Sequence, residues 1–136
     1  MPWDERIMTE DELRGMSCLA LAHIGDAVFE LLARTAVCCG GKRTAEALHG
    51  AAVALVSAPA QARAARRVEG ALTEAERAVL RRGRNTRVRA VPRGASFEEY
   101  HLATALEALF GYLYLKGETR RARELFDLAA AEEFRA

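Results

Sequence analysis

Three times along the chain a hydroxyl residue stands three positions before a glutamate at the head of an apolar helical run: Thr9 with Glu12, Thr73 with Glu76, and Ser96 with Glu99. Each pair can form the reciprocal cap that satisfies free N–H groups in a helix's first turn. Ser17, Thr44 and Ser57 stand at further helix starts, while Gly40-Gly41, Gly83 and Gly117 mark ends. No stretch between them alternates with the period of two that a half-buried strand needs. Alanine, leucine, arginine and glutamate dominate, which favours helix. The spacing therefore predicts one all-α domain of about seven helices. These are a short helix after Thr9, then 18–36, Thr44 to Val56, Ser57 to near Gly70, Thr73 to Gly83, Ser96 to Lys116, and most of 119–134. The stretch GRNTRVRAVPRGAS, 83–96, is the long irregular segment.

A chain of 136 residues can bury one core without disulfide staples. The three cysteines, two of them adjacent at 38 and 39, match neither a disulfide framework nor a zinc spacing, which points to a reducing, cytoplasmic setting. The N-terminus MPWDERIMTEDEL is too polar and acidic for a secretory signal, and no apolar run is long enough for a membrane span. With a net charge of +1, any signal for a polyanionic partner must be local.

Residues 19–32, LALAHIGDAVFELL, form an apolar helix pattern interrupted by Gly25, Asp26 and Glu30. Helical spacing gathers Leu21, Ile24, Val28, Leu31 and Leu32 into one stripe and leaves Asp26 on a second face with Ala22, His23 and Glu30. The segment SFEEYHLATALEALFGYLYLKG behaves alike. Leu102, Leu106, Leu109 and Leu113 make its stripe, and Glu107 lies across from them between Ala103 and Gly111. Small residues at four-residue spacing let helices approach closely. If the two small faces cross, Asp26 and Glu107 converge, and two hard oxygen ligands suit Mg²⁺. Pattern alone leaves a second reading open, in which both acids are surface charges paired with arginines.

LALAHIGDAVFELLAR together with EEYHLATALEALFGYLYLKG resembles the catalytic domain of ribonuclease III, and most closely its compact bacterial branch, Mini-ribonuclease III. LHGAAVALVSAPAQA and LTEAERAVLRRGRNTRVRAVPRGAS extend the resemblance over about residues 17–125. It implies a Mg²⁺-dependent endonuclease that cuts double-stranded RNA and leaves 5′-phosphomonoesters. The aspartate of its G-D-A-V motif and the glutamate of its E-A-L-[IF]-G motif, here Asp26 and Glu107, would be the metal-binding catalytic residues. The compact branch implies a homodimer that trims large-subunit ribosomal RNA precursors. The chain departs from full-length ribonuclease III at Leu19, Ala22 and Thr104, where that enzyme carries acids, which leaves the number of metals per site open.

On this reading Thr104 could orient a metal-bound water, and Glu30 could stand behind Asp26 unless Arg34, four residues on, takes it as an ion-pair partner. From Arg81 to Arg93 the chain has six arginines and no acid. Arg81, Arg82, Arg84, Asn85, Arg87, Arg89 and Arg93 are therefore the candidate RNA contacts, since guanidinium forks match phosphate oxygens. Arg63, Arg66 and Arg67 form a second basic cluster, and Gln61 fits either a helix surface or an RNA contact. A single ribonuclease III-type domain over 1–136 leaves no room for a separate RNA-binding domain, so substrate choice falls to the catalytic body, RNA shape or a helper such as a ribosomal protein. Two symmetry-related sites would cut the two strands, with Phe29 and Leu19 as candidate contacts between protomers. The competing reading is a noncatalytic RNA-binding or ribosome-assembly factor that keeps the fold. A helical scaffold without a nucleic-acid role is a third.

Overall fold

The computed structural model describes residues 6–86 and 96–131, and within them the chain is all-α. The helices are α1 (Glu10–Arg14), α2 (Cys18–Cys39), α3 (Ala45–Val56), α4 (Ala58–Val68), α5 (Glu74–Arg84), α6 (Phe97–Leu115) and α7 (Thr119–Ala130), with a 3₁₀ turn at Glu69–Ala71. Six starts carry the caps read from sequence. Thr9, Ser17, Thr44, Ser57, Thr73 and Ser96 each accept a bond from a backbone N–H three residues on. Glu12, Glu76 and Glu99 complete the reciprocal bond.

Helix α6 is the axis of the molecule. Between Leu102 and Leu113 every residue except Glu107 is buried, so the helix is covered all round. Helices α2, α4, α5 and α7 pack against it. The closest approach is to α2. A Cβ on Gly25 would lie 1.5 Å from the carbonyl oxygen of Glu107, and one on Gly111 would lie 2.0 Å from that of Leu21. The two backbones touch, and only glycine at both positions permits it.

This contact turns α2 differently from its apolar stripe. The buried face is Cys18, Leu21, Ala22, Gly25, Phe29, Ala33 and Val37. Ile24, Val28 and Leu32 are half-buried and Leu31 is 58% exposed. Gly25 and Ala22 face inward because small residues tolerate the approach of α6, and Leu21, Phe29 and Val37 go into the core on the same side, while the rest of the stripe is rotated outward. Phe29, a candidate contact between protomers, instead fills the core, edge-on to Phe110 and Phe126 with ring centroids 5.2 Å away in each case. Leu19 stays 50% exposed.

Gly83 does not end α5. It lies inside the helix, where a Cβ would come within 2.6 Å of the Ala105 Cα, so its role is to seat α5 against α6. The helix ends at Asn85 instead. The other end of α5 is clamped to α7. Buried Glu76 accepts bonds from Arg121 Nε and Nη2, both at 2.9 Å, and Arg121 also donates to the Ala71 carbonyl at 2.7 Å. Burial pushes the Glu76 carboxyl up, but the bonds from Arg121 and Thr73 hold it below the usual carboxylate range.

Gly25→Ala should destabilise the protein by about 3 kcal/mol, because the methyl group forces two backbones apart. Alanine's better helix propensity, about 1 kcal/mol, opposes this without reversing it. Urea unfolding followed by circular dichroism measures the change, and a midpoint at or above that of the natural chain would show that the helices do not meet at Gly25.

Candidate active site

The α2–α6 crossing decides where the acids lie. Asp26 follows the glycine whose backbone rests on Glu107, so its side chain emerges beside that residue. Asp26 is exposed and Glu107 is half-buried. The Glu107 carboxyl is pushed up to about 8, first by burial and then by the charge of Asp26 and a hydrogen bond with it. A hydrogen bond from Gln61 opposes the shift. Gln61 reaches Glu107 from α4 and is 3% exposed. Three helices thus supply two carboxyl groups and one amide to a single place.

Two carboxyl groups in hydrogen-bonding contact cannot both ionise cheaply, so the pair holds a proton or a cation. Among the described residues no third His, Cys, Asp or Glu joins them in a cluster that could hold a metal ion. The donor set still fits a hydrated Mg²⁺. That ion typically keeps several waters and takes one or two protein carboxylates, with substrate phosphate completing its shell. Asp26 faces the water such an ion would need.

Thr104 is buried one turn before Glu107 on α6. Glu30 is engaged elsewhere, accepting from Arg34 Nη2 at 2.7 Å along α2, the i,i+4 pairing that the sequence offers as the alternative. Exposed His23 has no place in this arrangement.

Arg81, Arg82 and Arg84 belong to the last turns of α5 rather than to a loop, with Asn85 as its cap. Arg82 turns back to donate to the Met16 carbonyl at 2.6 Å, and Arg84 pairs with Glu69 at 3.0 Å. Arg77, Arg81, Arg84 and Asn85 line one open groove of about 570 Å³ against the 3₁₀ turn. Arg87, Arg89 and Arg93 lie outside the described residues. Of the second basic cluster, Arg66 faces Glu98 at 3.6 Å.

Sequence reasoning missed Arg77 and misplaced Gln61, which is buried rather than on a helix surface or open to RNA. Arg77 precedes the basic run by one helical turn, and the i, i+4, i+7 spacing of 77, 81 and 84 was the signal that could have found it. Gln61 is a lone amide among buried Ala60, Ala62, Ala64 and Ala65, and no local pattern says which way it faces.

A family model described as "Ribonuclease III domain" matches residues 19–118, a span that contains both acids. A "Mini-ribonuclease 3" from Thermoanaerobacter sp. (strain X514) is 38% identical over 123 residues, covering 90% of this chain and 87% of that protein. Another, from Gloeobacter violaceus, is 47% identical over 109 residues, covering 80% and 79%. The crystal structure of a Fusobacterium nucleatum protein superimposes with a TM-score of 0.80 at 29% identity, covering 90% of this chain and 98% of that one.

The raised Glu107 carboxyl fixes the sign of a pH effect. Its unfolded value lies near 4.5 and its folded value at about 8, so between these limits the native state binds more protons and stability falls as pH rises. Without divalent ions, the natural chain should therefore lose stability, on the order of a few kcal/mol, across that window. Glu107→Gln should be flatter there and the more stable of the two at the alkaline end. Parallel urea titrations of both proteins in chelator measure this, and equal slopes would refute the strained pair.

Proposed function

The chain belongs to the Mini-ribonuclease III family and is an endoribonuclease, and we propose that it uses Mg²⁺ held by Asp26 and Glu107 to cut double-stranded RNA. The observation that carries this reading is the meeting of these two carboxyl groups across the α2–α6 crossing. When bound, Mg²⁺ supplies acidified water and neutralises charge on the phosphate under attack. The protein's own residues do the rest. Asp26 and Glu107 would hold the ion, and Glu107 would have to be ionised to do so. Buried Thr104 keeps a hydroxyl one turn away. Hydrolysis breaks the bond from phosphorus to O3′ and leaves the phosphate on the 5′ end.

The face formed by Arg77, Arg81 and Arg84 would hold the duplex by its phosphates, and Arg87, Arg89 and Arg93, which follow in the sequence, would serve the same end. Asn85 lines the same groove, whereas Arg82 is turned to the Met16 carbonyl. Ile24, Val28, Leu31 and Leu32 line an apolar groove with Tyr114 and Ala122, which supports a homodimer whose second protomer covers this face. Two sites related by symmetry would then cut both strands. The substrate we propose is a large-subunit ribosomal RNA precursor, processed in the cytoplasm, with a ribosomal protein as helper. No described helix is long and apolar enough to cross a membrane.

A labelled RNA hairpin incubated with the protein in Mg²⁺ or in chelator tests the assignment. Cleavage should require the metal. Asp26→Asn should lower it by more than about a hundredfold, the upper end of what losing a mere outer partner costs, while the circular dichroism spectrum is unchanged. Binding without metal-dependent cuts would instead favour a noncatalytic RNA-binding factor.

Replacing Arg77, Arg81 and Arg84 by alanine should weaken hairpin binding and reduce the slope of log K against log salt by about one for each phosphate that is no longer bound. The triple variant at Arg87, Arg89 and Arg93 should act in the same direction. A slope that neither variant changes would remove this face from the interface.

A further inference from the structure

We infer that Glu69 competes with RNA phosphates for Arg84, so that the Glu69–Arg84 pair must open before the groove can use all three of its arginines. This rests on the reading, given above, of Arg77, Arg81 and Arg84 as the face that holds the duplex.

The inference starts from an acid placed among cations. Glu69 lines the same open groove of about 570 Å³ as Arg77, Arg81 and Arg84. Its Oε1 accepts a bond from Arg84 Nη1 at 3.0 Å. Among the described residues, Arg84 is the one of these three arginines that an acid holds. A groove that would otherwise present three guanidinium groups therefore presents two free ones and one neutralised.

The pair is not what holds this part of the fold together. The turn Glu69–Ala71 is closed by the Leu72 N–H, which donates to the Glu69 carbonyl at 3.4 Å, and by Arg121, which donates to the Ala71 carbonyl at 2.7 Å. Helix α5 is seated on its own account, by Gly83 against α6 and by Glu76 in the fork of Arg121. The two ion pairs differ in kind. Glu76 is buried and takes two bonds, whereas Glu69 takes a single bond and the side chains of Glu69 and Arg84 are 42% and 46% exposed. An exposed pair of that sort adds little to stability and opens readily.

Its effect falls on the ligand instead. A phosphate that reaches Arg84 must displace the carboxylate or lie beside a like charge, and either lowers affinity. A duplex brings several phosphates at once, so Arg77 and Arg81 can offset that cost together. Salt screens an exposed pair, so the cost is largest in dilute salt and fades as salt rises. Cut strands still carry the phosphates that were bound, and a carboxylate that returns to Arg84 hastens their release.

Two full-length variants test this. Glu69→Gln removes the charge at constant size, and Glu69→Ala removes the acceptor altogether. Binding of a labelled RNA hairpin is followed by fluorescence anisotropy in chelator across a salt series, for each variant alone and combined with Arg84→Ala. Both variants should bind the hairpin roughly three- to fivefold more tightly in dilute salt, which is about what opening an exposed ion pair costs. The gain should shrink as salt rises, and it should vanish in the Arg84→Ala background. Unchanged or weaker binding by both variants overturns the inference, since Glu69 would then be idle or would be ordering Arg84 for RNA. A gain that survives Arg84→Ala also overturns it, because the acid would be acting on the whole groove rather than through Arg84. If the triple variant at Arg77, Arg81 and Arg84 binds as the natural chain does at every salt, the groove reading itself fails and takes the inference with it. Should Glu69→Gln not fold, Glu69→Ala decides; if neither folds, the pair is a structural tie and the inference is overturned.

Discussion

Everything at the site depends on two helix backbones in direct contact. Gly25 on α2 rests against the carbonyl of Glu107, and Gly111 on α6 rests against that of Leu21. A side chain at either position would separate the helices by the width of a methyl group or more. The approach sets the rotation of both helices together, because each glycine must face the other helix. With α2 locked in this way, Asp26 has one direction to leave the helix, and it leads to Glu107. The motif neighbours of the two acids thus have a mechanical meaning: each glycine is the bearing on which its carboxylate is aimed.

Two buried or half-buried glutamates show how the molecule separates stability from chemistry. Glu76 is enclosed with an arginine fork and a bond from the Thr73 backbone N–H of its own cap, so its carboxylate is held ionised and ties α5 to α7. Glu107 is enclosed with another acid and an amide, and its proton is retained to about 8. The first arrangement satisfies itself. The second is left short of one positive charge, and that deficit gives a divalent ion a reason to bind. Local destabilisation at a functional pair is a common feature of enzymes, and here the two cases differ only in what faces the carboxylate.

Much of the fold was legible because its signals are local. A cap needs only a hydroxyl and the next few residues, and all six sequence-read caps occur where their residues stand. The convergence of Asp26 and Glu107 was legible too, since alanine and glycine at four-residue spacing mark a face that can be approached. The orientation of α2 was not. Counting large apolar residues selects Ile24, Val28 and Leu31 together with Leu21, but a helix whose partner comes to backbone distance must turn its glycine to the contact, and the residues that share that side, Leu21, Phe29 and Val37 here, are the ones buried with it. Gly83 misled for the same reason. Glycine ends helices by its backbone freedom and admits neighbours by its lack of a Cβ, and only the position of Ala105 shows which property is in use. Gln61 was illegible because its partner is distant in sequence.

A site with two carboxylates also places a demand on its substrate. Full-length ribonuclease III, as the resemblance has it, carries acids where this chain has Leu19, Ala22 and Thr104. Fewer protein oxygens leave more of a metal's coordination sphere to water and to the RNA phosphate itself. Metal affinity and substrate affinity then become linked, since each partner brings charge that the other lacks. On the proposed reading the arginine face of α5 would do more than hold RNA. By bringing phosphates to the protein it would help to complete the metal's surroundings, so the groove lined by Arg77, Arg81 and Arg84 and the acid pair on α2 and α6 would act on the same equilibrium.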